Sequence, residues 1–130
     1  MTTCGVWPTS RGLVAVLIDT AGRARSFSVA DTDDARWGLS QRLAAVGAEL
    51  VLDEALVEND RIATAARRAG VTVWIAGPPL IGALRCAAGI ARRGARPSAA
   101  LLARLPAIPW LRSLLRRLEP PDDERQITLL

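Results

Sequence analysis

The stretch from Glu49 to Pro79 places the tightest restriction on how this chain can fold. ELVLDEAL is a short apolar run ending in two acids, NDRIATAARRAG has helical spacing, and VTVWIAGPP is a second apolar run that stops at Gly-Pro-Pro. Two apolar strands joined through a helix are nearly always parallel neighbours with a right-handed crossover. Both strands therefore end at one edge of a sheet, the edge that holds Asp53, Glu54, Gly77 and Pro78. In open α/β sheets, ligands are usually handled at the carboxyl ends of parallel strands.

The N-terminal half adds strands to that unit. Thr3 to Trp7 reads as a short first strand closed by Pro8, and Gly12 to Asp19 (GLVAVLID) is the strongest strand signal. Arg23 to Val29 alternates polar and apolar residues, as a half-exposed strand does. The turn Thr20-Ala21-Gly22 makes this pair an antiparallel hairpin, with Asp19 starting the turn. Asp31, Thr32 and Asp33 supply an N-cap and acidic first turn for a helix running to Gly47, with Trp37, Leu39, Leu43 and Val46 as its buried face. A second helix is expected from Val57 to Ala69, capped by Asn59 or Asp60 and ended by Gly70. Its alanines 63, 65, 66 and 69 suit close approach to a sheet. The order is βββαβαβ.

Beyond Pro79 the pattern turns helical. One helix is expected over Leu80 to Ala88, a loop over Gly89 to Gly94, and another helix from Pro97 and Ser98 to Pro106. A last helix from Pro109 places Trp110, Leu111, Leu114, Leu115 and Leu118 on one face, and Arg112, Arg116 and Arg117 on the other. The expected architecture is α/β: a mixed five-stranded sheet with helices packed on it and extra C-terminal helices. Residues 1–119 form one domain, and residues 120–130 a tail.

Composition narrows the function classes. Half of the 130 residues are hydrophobic and 23% are charged, which describes a globular chain. Its apolar runs are broken well short of the ~20 residues that a spanning helix needs. No signal peptide is visible, so the expected location is the cytoplasm. All 17 basic residues are arginines and the net charge is +4, which admits nucleic acid as a partner and equally admits protein carboxylates. Without histidine there is no catalytic triad and no His-containing zinc site. Cys4 and Cys86 lack metal-type spacing and read as buried free thiols.

The strand order is that of the ribonuclease-H-like fold. The motifs CGVW, LIDTAGRA, LVLDEAL and VTVWIAGPP, then the glycine of AAGIARR and the run RGARPSAALLARL, resemble those of one branch of it. Over residues 4–105 the chain is similar to the N-terminal, Holliday-junction-resolvase-like (RuvC-like) domain of DEDD-type insertion-sequence transposases. That resemblance implies a DNA-processing ancestry, yet most of the family's catalytic acids are missing. The first Asp position falls on Trp7, and the two late ones fall on Ala95 or Arg96 and on Ser98. Only the Glu position carries an acid, Glu54 or Asp53 depending on a one-residue shift. Cleavage with two divalent ions about 4 Å apart requires several converging carboxylates. Asp19 lies at the opposite edge of the sheet and does not complete the set.

These departures predict a non-catalytic domain acting as a nucleic-acid-binding or protein-assembly module, without small-molecule cofactor or resident metal. The candidate nucleic-acid contacts are Arg85, Arg92, Arg93, Arg96, Arg104 and Trp7. Trp74, inside an apolar run, reads as core. The candidate partner interface, for a second copy of the chain, is Trp110, Leu111, Leu114, Leu115 and Leu118. The enzyme alternative is a magnesium-dependent nuclease using Glu54, Asp53 and a further carboxylate such as Asp60 or Asp122. Asp53 and Glu54 suit a cap or an ion pair with Arg61 or a nearby arginine better than they suit a magnesium site. A third reading is a pure scaffold or dimerisation protein.

Overall fold

The computed structural model describes residues 1–54, 61–77 and 94–118. Strands β1 (Thr3–Thr9) and β2 (Gly12–Ile18) form a hairpin in which Thr3 pairs with Ile18 and Thr9 with Gly12. Strand β3 (Ala24–Ala30) folds back antiparallel to β2. Asp19 makes that turn: its Oδ1 accepts from the backbone N–H groups of Ala21 and Arg23, both at 2.9 Å. Helix α1 (Asp33–Ala45) is capped by Thr32, whose side chain accepts from Ala35 N. Strand β4 (Glu49–Asp53) then lies parallel to β1, and after helix α2 (Arg61–Arg68), strand β5 (Val73–Ala76) lies parallel to β4. Gly47 and Gly70, at φ +66° and +84°, take the left-handed conformation that ends each helix at little steric cost. The expected order βββαβαβ is present.

Among the described residues the sheet has six strands rather than five. Its order is β3-β2-β1-β4-β5-β6, and β6 (Arg116–Arg117) pairs antiparallel with β5. These two arginines were expected on the outer face of a long last helix. Helix α4 (Pro109–Arg112) is a single turn instead. Leu114 N and Leu115 N close tight i→i+3 bonds to Leu111 O and Arg112 O, and Leu118 N then donates to Val73 O at 2.9 Å. The free edge of β5 offers backbone partners, and the chain takes them in place of further helical turns. The expected apolar stripe is split as a result. Leu111 and Leu115 are buried on one face of the sheet, Leu118 packs partly buried against the core of the other face, and Trp110 and Leu114 are exposed.

Each face of the sheet has its own core. On the first, Cys4, Val6, Leu50, Leu52, Val73 and Ile75 meet Leu39 and Leu43 of α1 and Ile62, Ala63 and Ala66 of α2. On the second, Val51 and Ala76 meet Leu102 of helix α3 (Ala95–Arg104), Leu105 of the 3₁₀ turn Leu105–Ala107, and Leu111 and Leu115. Trp7 and Trp74 pack half-buried against this second core, so Trp74 is less enclosed than its apolar strand suggested. Helix α3 begins at Ala95, earlier than Pro97, with Pro97 inside its first turn where no N–H is needed.

Helix α1 is rotated from the expected face. Arg36, Leu39, Ser40 and Leu43 point inward at i, i+3, i+4 and i+7, which leaves Trp37 and Val46 exposed. Arg36 tolerates this because its aliphatic stem packs while its guanidinium reaches Asp31 and Asp33 at the start of the helix. The expected helix over Leu80 to Ala88, the caps Asn59 and Asp60, Cys86 and the tail lie outside the described residues.

Candidate functional site

The carboxyl ends of β1, β4 and β5 form one rim. Val6 pairs with Leu52 and Asp53 with Ala76, so Trp7 and Asp53 stand side by side one step beyond the last β1–β4 pair. Alternation along the strands puts Gly5, Trp7, Val51 and Asp53 on the α3 face. Asp53 is buried, whereas Glu54 has left the strand and is exposed. Of the two acids that the sequence left open, Asp53 is therefore the one held against the fold. Arg61 forms no ion pair with either of them.

Helix α3 crosses the same face with its first turn towards this rim. An added Cβ on Gly5 would lie 2.0 Å from Ala99 O and 2.7 Å from Ala103 N, so the two backbones touch there. Near the other end of the helix, Thr3 Oγ1 donates to Ala103 O. Ser98, one residue nearer the rim than Ala99, is fully buried, and its Oγ donates to Gly94 O at 2.8 Å. Trp7, Asp53, Ser98 and Ala95 thus converge on one face of one rim. An indole, a carboxylate, a hydroxyl and a methyl do not make a donor set for two divalent ions. Among the described residues no group of three or more His, Cys, Asp or Glu is placed to hold a metal ion. Asp19 lies beyond the Thr3–Ile18 pair, at the far rim, as its strand direction requires.

The candidate arginines are separated. Arg96 is exposed in the first turn of α3 at the carboxyl rim, and Arg104 is exposed at the other end of the helix, about 12 Å further along at 1.5 Å per residue. Arg85, Arg92 and Arg93 lie outside the described residues.

A second feature of this rim went unread in the sequence. A cavity of about 440 Å³ opens between α1 and α2, lined by Trp37, Arg61, Thr64 and Arg68, with Asp33 and Asp34 at one side. Strand β3 runs parallel to β1, so α1 starts at the carboxyl rim, and α2 enters from that rim as well. Arg61, Thr64, Ala65 and Arg68 recur at i, i+3, i+4 and i+7 and form one face of α2. Trp37 is 41% exposed, and neither Arg61 nor Arg68 pairs with a carboxylate among the described residues. The signal was present as the i, i+7 spacing of Arg61 and Arg68. Assigning Trp37 to the core concealed it.

At the far rim, Trp74 Nε1 donates to Glu49 Oε2 at 3.2 Å, Arg112 lies 3.7 Å from Glu49 Oε1, and its guanidinium sits 5.3 Å from the centre of the Trp74 ring. This cluster fastens α4 to the sheet. It leaves Ile108, Trp110 and Leu114 outward, 37%, 67% and 59% exposed. Among the described residues no helix is long and apolar enough to cross a membrane.

No protein-family model and no curated protein matches the chain by sequence. Its fold has solved counterparts. Superposition on Thermus thermophilus RuvC gives a TM-score of 0.57 at 18% identity, covering 91% of this chain and 100% of the other. T. thermophilus RuvC in complex with a Holliday junction substrate gives 0.53 at 15%, covering 91% and 99%. At such identities the likeness concerns the fold alone, and with the strand order above it makes this chain an α/β protein of the ribonuclease-H-like fold.

Proposed function

We propose that this chain is a non-catalytic ribonuclease-H-like domain, related to the N-terminal domains of DEDD-type transposases, that holds nucleic acid along the carboxyl rim of its sheet in the cytoplasm. The observation that carries the reading is the α1–α2 cavity, where an exposed indole stands with two arginines free of carboxylate partners among the described residues. An indole face accepts any base, at ~1–3 kcal/mol per stacked base, and guanidinium groups meet phosphates without regard to sequence. Arg96 extends the basic surface on the other side of the same rim. The fold's likeness to a protein solved with a Holliday junction supports DNA as the ligand class. Only Asp53 among the four converging positions bears a carboxylate, which supports a domain that binds without cutting.

The test is binding of labelled single-stranded and four-way-junction DNA over a salt series. Affinity is expected to fall linearly with log salt concentration, and Arg61→Ala with Arg96→Ala to flatten that slope by about 2. Trp37→Ala is expected to weaken binding about tenfold on single strands, as loss of one stacked base would. Retention that ignores salt and all three substitutions would end the reading. Magnesium-dependent cleavage abolished by Glu54→Ala would replace it with the nuclease alternative.

A second reading has its own observation. Ile108, Trp110 and Leu114 form an outward apolar surface on the 3₁₀–α4 segment, which suits protein assembly. Loss of a partner or of self-association in Trp110→Ser/Leu114→Ser, with DNA binding intact, is the outcome it expects.

A further inference from the structure

The two edges of the sheet are protected unequally. At one edge β6 is two residues long and both are exposed arginines, the short charged border by which sheets avoid pairing with other chains. At the other, β3 runs for seven residues, matches β2 over its full length, contains no proline, and has no strand on its outer side among the described residues. Ala24, Arg25, Ser26, Ser28 and Ala30 are exposed, and Phe27 and Val29 are half-buried over the first core. The guanidinium of Arg42 covers the Phe27 ring at 5.5 Å from its centre. What the edge presents outward is its row of backbone donors and acceptors.

The sequence of β3, Ala-Arg-Ser-Phe-Ser-Val-Ala, is nearly the same read in either direction. We infer that β3 pairs antiparallel with the β3 of a second copy about a two-fold axis at Phe27, joining the two sheets into one. In that register Ala24 meets the other Ala30, Arg25 meets Val29, Ser26 meets Ser28, and Phe27 meets Phe27. The single charged residue of the strand never meets itself, which a two-fold pairing centred on Arg25 would force. Two-fold pairing of identical patches is the usual route to a homodimer, and an aromatic pair with two serine pairs suits opposed positions of an antiparallel ladder. This surface is separate from the apolar one at Trp110 and Leu114 and does not depend on nucleic acid.

The register gives the test. Ser26 and Ser28 face solvent on the α3 side, so the monomer tolerates charge at both. In S26K/S28K each lysine opposes a lysine of the other copy, whereas in S26K/S28D each lysine opposes an aspartate. Sedimentation equilibrium at low salt is expected to show a dimer for the unaltered chain, a dimer of similar affinity for S26K/S28D, and one at least tenfold weaker for S26K/S28K, with circular dichroism unchanged in all three. A chain monomeric at every concentration would overturn the inference. Equal weakening in both variants would overturn it too, because the opposed pairs would not be these. A dimer unaffected by S26K/S28K lies elsewhere, such as at Trp110, and has the same consequence.

Discussion

Cys4 and Gly5 are neighbours on β1 and face opposite sides of the same sheet, and the two sides are built differently. Cys4 looks into the α1–α2 side, where contact is made by side chains: leucines from α1, and Ile62 with small alanines from α2. Gly5 looks into the α3 side, where a strand and a helix meet backbone to backbone. Side-chain packing holds α1 and α2 off the sheet and leaves room between them at the carboxyl rim, which becomes the Trp37 cavity. Backbone packing brings α3 down onto β1 at Gly5. The α1–α2 side keeps an opening at the rim, and the α3 side is closed where Gly5 meets the helix.

The comparison is tested first through Cys4, which carries the largest expected effect. Burial pushes its thiol from an ordinary 9.0 up to about 12, because the thiolate has no water on that side of the sheet. At neutral pH it should carry about a thousandfold less thiolate than an exposed cysteine, and disulfide-exchange reagents should label it only when the protein unfolds. The sign for stability follows. The folded form keeps its proton while the unfolded form loses it above pH 9.0, so this contribution is whole below 9.0 and lost progressively towards about 12. Denaturation midpoints measured from pH 7 to 11 should decline over that window, and Cys4→Ala should remove this part of the decline. Rapid labelling of native Cys4 would mean that the α1–α2 side admits water much deeper than the cavity.

Gly5→Ala comes next and strikes the other side. The new methyl would sit 2.0 Å from a carbonyl oxygen and 2.7 Å from an amide nitrogen, neither of which can swing aside as a side chain does. Helix α3 must lift, loosening Leu102 from the second core and stretching the Thr3 bond to Ala103. A loss of about 3 kcal/mol in chemical denaturation is expected, at the upper end for overpacking. A loss below about 1 kcal/mol would show that α3 rides higher than the structure places it.

Most of the scaffold was legible because it rests on local rules. Apolar runs and one alternating run gave the five main strands, the turn at Asp19 announced the hairpin, and Gly47 and Gly70 marked the helix ends. What escaped depended on packing that no window of sequence contains. Helix α1 has two alternative inward faces, and the pattern favours the one with Trp37 and Val46. Arg36 wins the inner position because Asp31 and Asp33 wait at the helix start to take its charge. Residues 109–118 read as one amphipathic helix, yet the unfilled edge of β5 competes for their backbone and prevails. At the candidate site the sequence pointed to Asp53 or Glu54, and only register and burial separate them. The cavity was hidden by the same rotation of α1.

The smallest effect has the opposite sign and comes from the same chemical change. Gly38 lies inside α1, next to Trp37, and a Cβ added there meets nothing within 4 Å. Glycine in a helix interior costs about 1 kcal/mol relative to alanine, because the unfolded chain has more conformations to lose. Gly38→Ala should therefore stabilise the protein by about 1 kcal/mol and raise Tm by about 4 °C. One methyl on the close side should thus cost about three times what one methyl on the open side gains. If Gly38→Ala destabilised the chain instead, α1 would be nearer to its neighbours than the structure has it, and the room beside Trp37 between α1 and α2 would be smaller.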